Sequence, residues 1–167
     1  MIIMDEILET AKEYWISAGA TALAHYRAAE AAARRNKQIG VPSSIVSAVV
    51  ATSVIATLSD KTGNIWIFAT GTVAVIAAVL ASLQAYLGYG DRAEKHRMAG
   101  ARYLGIRREI RLFEVEFSSA NSKPDNKALQ RLKKIAEDLN KLAIDTPTLA
   151  SKIYEKAKVD FIASHCK

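Results

Sequence analysis

Between Lys37 and Asp60 the chain carries no Asp, Glu, Lys or Arg, and between Lys61 and Asp91 it again carries none. The first gap, Gln38 to Ser59, is 22 residues long, and the second, Thr62 to Gly90, is 29. A hydrocarbon core about 30 Å thick needs roughly 20 apolar residues at 1.5 Å each, so both gaps are long enough to span it. Their content agrees: Ile45-Val46-Ser47-Ala48-Val49-Val50-Ala51 in the first, Val73-Ala74-Val75-Ile76-Ala77-Ala78-Val79-Leu80 in the second. Buried helices of a small soluble bundle keep a polar stripe. Here only Ser, Thr and Gln supply polarity, and transmembrane spans over about 39–58 and 65–88 are expected. The mean hydropathy of +0.05 hides this, because it averages the gaps with charged flanks.

Ser59-Asp60-Lys61-Thr62-Gly63-Asn64 joins the gaps, and so short a polar turn implies an antiparallel hairpin. Arg34, Arg35 and Lys37 precede the first span, and Arg92, Lys95, Arg97 and Arg102 follow the second, whereas the turn holds Lys61 alone. The positive-inside rule then puts both termini in the cytosol. Trp66, Tyr86 and Tyr89 stand where interfacial aromatic anchors belong. The first apolar run begins near residue 38, too late and too long for a cleavable signal.

Both spans are rich in small residues. Ser44, Ala48, Thr52 and Ala56 recur every four residues, as do Thr70, Ala74, Ala78 and Ser82. Such lines let membrane helices approach closely, so these eight are the candidate helix-packing and homo-oligomer contacts. The candidates for a polar pore lining are Ser47, Thr52, Ser53, Thr57 and Gln84, although hydroxyls in a helix also bond the carbonyl four residues back. No ionisable residue lies in either span, which leaves no intramembrane proton relay. Pro42 reads as a first-turn proline at the start of the first span, a position favoured over a hinge.

The flanks read as helices. Residues 1–37 form an N-terminal cytosolic amphipathic helix, with Ile7, Leu8, Ala11, Trp15, Ala18, Ala22 and Tyr26 near helical period. Beyond Gly88-Tyr89-Gly90, which allows a bend, His96, Ala99, Tyr103, Ile106, Ile110, Phe113 and Phe117 alternate three- and four-residue steps. That is a heptad seam for a cytosolic stalk. The C-terminal region, 91–167, is expected to hold helices over about 91–117, 126–144 and 147–164. The second carries Leu129, Leu132, Ile135, Leu139 and Leu142 on one face. Asp145-Thr146-Pro147 should cap the third. The fold class is therefore all-α: a two-transmembrane hairpin at 38–90, with long terminal helices building a cytosolic stalk or bundle.

No phosphate loop, H-E-x-x-H, G-x-S-x-G or paired-cysteine motif occurs, and Cys166 is the single cysteine. His25, His96 and His165 are scattered, and a lone helical histidine is more often packed or solvated than catalytic. An enzyme has no residue to stand on, and no cofactor or metal is expected. The whole +6 net charge lies after residue 90, with 17 basic and 11 acidic residues. Arg34, Arg35, Lys37, Arg92, Lys95 and Arg97 form the juxtamembrane basic set, and the charge after residue 90 reads either as a solvated helix surface with the positive-inside bias or as a basic patch, Arg92 to Arg111, meeting anionic headgroups at its membrane-proximal end. Nucleic acid is not an expected partner, since neither aromatic interleaving nor a known module accompanies the charge.

The order of features resembles the SLATT family, the SMODS- and SLOG-associating two-transmembrane effector domains of bacterial conflict systems. The resemblance rests on Trp15, His25-Tyr26-Arg27-Ala28-Ala29-Glu30, Arg34-Arg35, Ala81-Ser82-Leu83-Gln84-Ala85-Tyr86, Arg92-Ala93-Glu94-Lys95-His96-Arg97, Tyr103, Arg107-Arg108-Glu109, Asp145-Thr146-Pro147 and Tyr154. It implies a pore-forming or membrane-disrupting effector of phage defence in the bacterial inner membrane, whose activation kills or stalls the infected cell. No ligand-sensing domain is legible in these residues, so a partner, such as a nucleotide-signalling or other sensor protein, or the C-terminal helices themselves would carry the trigger. A scaffold or adaptor that recruits a cytosolic partner through its stalk is the alternative.

Overall fold

In the computed structural model, residues 2–59, 64–118 and 126–165 are described. The side chains of 2, 3, 43, 51–68, 70 and 84 fall outside that description, as does the turn at 60–63. The described residues form five helices in the order α1 Ile2–Ser59, α2 Asn64–Leu87, α3 Tyr89–Phe117, α4 Asn126–Asp145 and α5 Ser151–His165. No strand occurs among them.

They divide into two compact units, one drawn from 1–30 with Ala93–Lys167 and the other from Ala31–Arg92. α1 is continuous from Ile2 to Ser59, through the N-terminal segment and the first charge-free stretch. Pro42 consequently lies inside α1, and the expected first-turn position is corrected. A mid-helix proline forfeits one hydrogen bond and costs about 3 kcal/mol. The preceding Ala-, Arg- and Lys-rich run is strongly helix-forming, and the helix carries across it. Two residues on, the Ser44 hydroxyl donates to the Gly40 carbonyl at 2.9 Å.

The first unit has a conventional core. α1 contributes mainly methyl groups, with Ala11, Ala18, Ala20, Ala22, Ala24, Ala28 and Ala29 all buried. The bulk comes from the other helices: Tyr103, Ile110, Phe113 and Phe117 of α3, Leu132, Ile135 and Leu142 of α4, and Phe161 of α5. Ile110 and Phe113 are wholly enclosed, and Phe113 packs on Phe117 with ring centroids 4.9 Å apart. Gly19 is what lets α5 dock on α1: a Cβ there would lie 2.2 Å from Cζ of Phe161.

One boundary and one face differ from the sequence reading. α5 starts at Ser151 rather than 147. Thr146, preceding a proline, is steered out of the helical region. Helical bonding then resumes only at the Ala150 carbonyl, which accepts from Ile153 and Tyr154 at 2.9 and 3.2 Å. On α4 the buried line is Ala128, Leu132, Ile135 and Leu142, with Leu139 partly buried, while Leu129 is 41% exposed. A leucine scan by eye favours the larger side chain, whereas geometry gives the place to the alanine one residue away.

The second unit is the opposite of a core. Val41, Ile45 and Val49 of α1 and Val75, Ile76 and Val79 of α2 are all more than half exposed. Gly88, at φ +54°, separates α2 from α3, and its carbonyl accepts the Arg92 N–H at 3.1 Å to open α3. A side chain at that left-handed angle costs roughly 1–2 kcal/mol, so glycine is the residue for the joint.

Candidate functional site

In the second unit, the small-residue candidates sit on the surface. Ser44, Ala48, Ala78 and Ser82 are exposed and Ala74 is partly covered. Among the described side chains of α2 the buried one is Ala77, at 7% exposure, one position from the expected line. Ser82 donates to the Ala78 carbonyl at 2.8 Å and Ser44 to Gly40, so both hydroxyls are satisfied within their own helices. Ser47 is exposed. The side chains of Thr52, Ser53, Ala56, Thr57, Trp66, Thr70 and Gln84 lie outside the described residues. One helical stretch, Gly71–Phe117, is long and apolar enough to cross a membrane, and only 6% of its most apolar window is buried. No second stretch among the described residues meets that test.

The juxtamembrane basic residues Arg34, Arg35, Lys37, Arg92, Lys95 and Arg97 are all exposed. Tyr89 stands among them, with the Arg35 and Arg92 guanidinium carbons each 6.0 Å from its ring centre. That is the outer edge of a cation–π contact, and it leaves both charges facing outward.

In the first unit, the seam residues Ala99, Tyr103, Ile110, Phe113 and Phe117 are buried, and His96 and Ile106 are partly so. The structure adds what the spacing did not reveal. His25 of α1 is 1% exposed, and its Nδ1 lies 2.9 Å from Nδ1 of His96 on α3. One ring must donate and the other accept, so the pair holds one Nδ1 proton between two rings. The rings lie 5.2 Å apart, and His25 also stacks on Tyr103 at 5.6 Å and 20°. Burial, with the facing His96, lowers the His25 pKa to about 4, and burial lowers that of His96 as well. A signal was present: Ala11, Ala18, Ala22, His25 and Ala29 keep a three- and four-residue rhythm matching the His96 seam.

A second cluster joins α1, α3 and α5. Trp15 and Phe161 meet at 5.6 Å, and His165 stacks on Phe161 at 4.3 Å and 18°. The Arg107 guanidinium lies over both Trp15 and Phe161, at 4.1 and 4.8 Å from their ring centres. Burial in this aromatic company lowers its pKa. Nearby, Arg27 pairs with Asp160 at 2.7 Å, while its Nη1 is buried without a hydrogen-bond partner. Glu116 pairs with Arg131, linking α3 to α4. Among the described residues, no group of three or more His, Cys, Asp or Glu gathers as a metal site would require.

The description "SMODS and SLOG-associating 2TM effector domain family 4" matches residues 6–161, nearly the whole chain. The chain belongs to this SLATT family. The SLATT description marks it as a membrane protein of effector type. No curated protein and no solved structure matches it. The match takes in α1, nearly to its N-terminus, and most of α5, so both the histidine pair and the Trp15–Arg107–Phe161 cluster lie inside the SLATT domain.

Proposed function

We propose that the chain is a two-span inner-membrane hairpin with both termini cytosolic, which assembles with copies of itself into a pore or channel. In this reading it is the effector of a bacterial conflict system, disrupting the membrane when activated. The observation that carries it is the surface of the Ala31–Arg92 unit. Large apolar side chains cover it, no charge interrupts either apolar run, and Ala48, Ala78 and Ser82 are left uncovered. Lipid satisfies the large side chains, and close packing against a neighbouring copy satisfies the small ones.

The test is flux of ions or a dye from liposomes holding purified protein, alone and with candidate activators. Release that scales with oligomer content supports the reading. A confirmed oligomer that releases nothing under every activator sinks it. The adaptor alternative would then be favoured if the helical unit captured one specific cytosolic protein while membrane potential stayed intact.

A further inference from the structure

One groove of the helical unit is not used by the pore reading. Trp15, Leu104, Arg107, Arg108, Arg111 and His165 enclose about 580 Å³ of open space. Three guanidinium groups reach it from a single turn of α3, since residues 107 to 111 rise only about 6 Å along the helix axis. Arginines this close repel one another, and a fold ordinarily interleaves them with carboxylates. Arg111 has such a partner, Glu114 at 3.1 Å. Neither Arg107 nor Arg108 has an ion pair among the described residues.

Arg107 is held in a particular way. Its guanidinium carbon lies 4.1 and 4.8 Å from the Trp15 and Phe161 ring centres, and neither ring offers a carbonyl or carboxylate to its five N–H donors. Burial beside two rings removes water without supplying an acceptor. The site is therefore a positioned, partly desolvated donor fork. Two more cations stand beside it, and the His165 ring closes one side. The space admits more than a single phosphate and falls in the range of small-molecule sites.

We infer that this groove binds a phosphate-bearing anion, with Arg107 and Arg108 as its principal contacts and Arg111 shared with Glu114. Planar guanidinium forks match phosphate oxygens bidentately, which is the chemistry that selects such a ligand over a lone carboxylate or chloride. A soluble phosphorylated molecule and a phospholipid headgroup offer the same phosphate chemistry. The inference does not depend on pore formation.

The experiment uses the full chain in detergent micelles, carrying Trp66→Phe so that Trp15 is the sole tryptophan reporter. Inorganic pyrophosphate is titrated at constant ionic strength, and Trp15 emission and the unfolding midpoint are followed. Nanodiscs of phosphatidylcholine with and without phosphatidic acid form the second arm. Saturable change with pyrophosphate assigns a soluble ligand; a response confined to phosphatidic acid nanodiscs assigns a headgroup. In either arm Arg107→Lys and Arg108→Gln should each weaken binding at least about tenfold, the loss expected for one charge-assisted contact. Arg131→Gln, outside the groove, should leave it unchanged. Arg108 is exposed, so its variant should fold normally, as circular dichroism will show. No saturable response in either arm overturns the inference, as does binding unaltered by Arg108→Gln in a folded protein.

Discussion

His25 and His96 face each other through their Nδ1 atoms at 2.9 Å, in the middle of a helix interface otherwise lined by alanine and aromatic side chains. Among the described residues neither ring meets a carboxylate, and Tyr103 covers one face of His25. A second proton would set two N–H groups against each other.

The pair therefore makes the fold sensitive to acid. The His25 pKa falls from 6.5 to about 4 on folding, so the unfolded chain takes up the proton first as pH drops. Its contribution is fully present above about pH 6.5, declines down to about pH 4 and is constant below. The gap corresponds to about 3 kcal/mol. Unfolding midpoints measured at pH 7.5 and 4.5 should differ more in the native protein than in His25→Gln. Equal pH dependence in the two would show that the pair carries no linkage.

Two glycine-to-alanine changes should have opposite signs. At Gly19 the new Cβ meets Phe161, which Trp15, Arg107 and His165 hold in place. Overpacking of about 1–3 kcal/mol outweighs the roughly 1 kcal/mol gained in helix propensity. At Gly105, mid-way along α3, nothing lies within 4 Å, so Gly105→Ala should stabilise by up to about 1 kcal/mol. Thermal unfolding of both variants decides the matter. A lowered midpoint for Gly105→Ala would point to a contact on that face.

Ala77 and Ala78 are neighbours with different surroundings, the first buried and the second exposed. Ala77→Leu should disrupt packing within the unit and reduce the yield of folded protein. Ala78→Leu should leave the subunit folded and weaken only its association with other copies. Native mass measurement from nanodiscs reads subunit number directly. An unchanged oligomer for Ala78→Leu would remove this line from the proposed contact.

Phe113→Ala, in the enclosed core, should cost about 3–5 kcal/mol, while Leu112→Ala, whose side chain is 65% exposed, should change stability by less than about 0.5 kcal/mol. Denaturant unfolding of the two provides the comparison. Similar losses at both positions would mean that Leu112 is covered in the folded protein.

The helical character was legible because charge-free runs and three- and four-residue steps are properties of the chain alone. What escaped reading was relational. His25 and His96 stand 71 residues apart, and each looks solitary until two helices are laid side by side. The α4 face was misjudged at Leu129 because hydrophobic size outweighed position. The start of α5 was misplaced because a proline marks the end of one helix more surely than the start of the next. Arg107 read as part of a basic run, and its aromatic company came from residues 92 positions before and 54 after. Pro42 was read by the local rule for helix starts, which strong helix formers on its N-terminal side overrode.

The alanine face of α1 has a thermodynamic consequence. Burying alanine freezes no side-chain rotamers, so this half of the interface orders at almost no side-chain entropy cost. It also carries little shape. Much of the information that decides which helix lies where is written in Tyr103, Ile110, Phe113, Leu132, Ile135 and Phe161, with Gly19 as a notch on α1 that Phe161 must find.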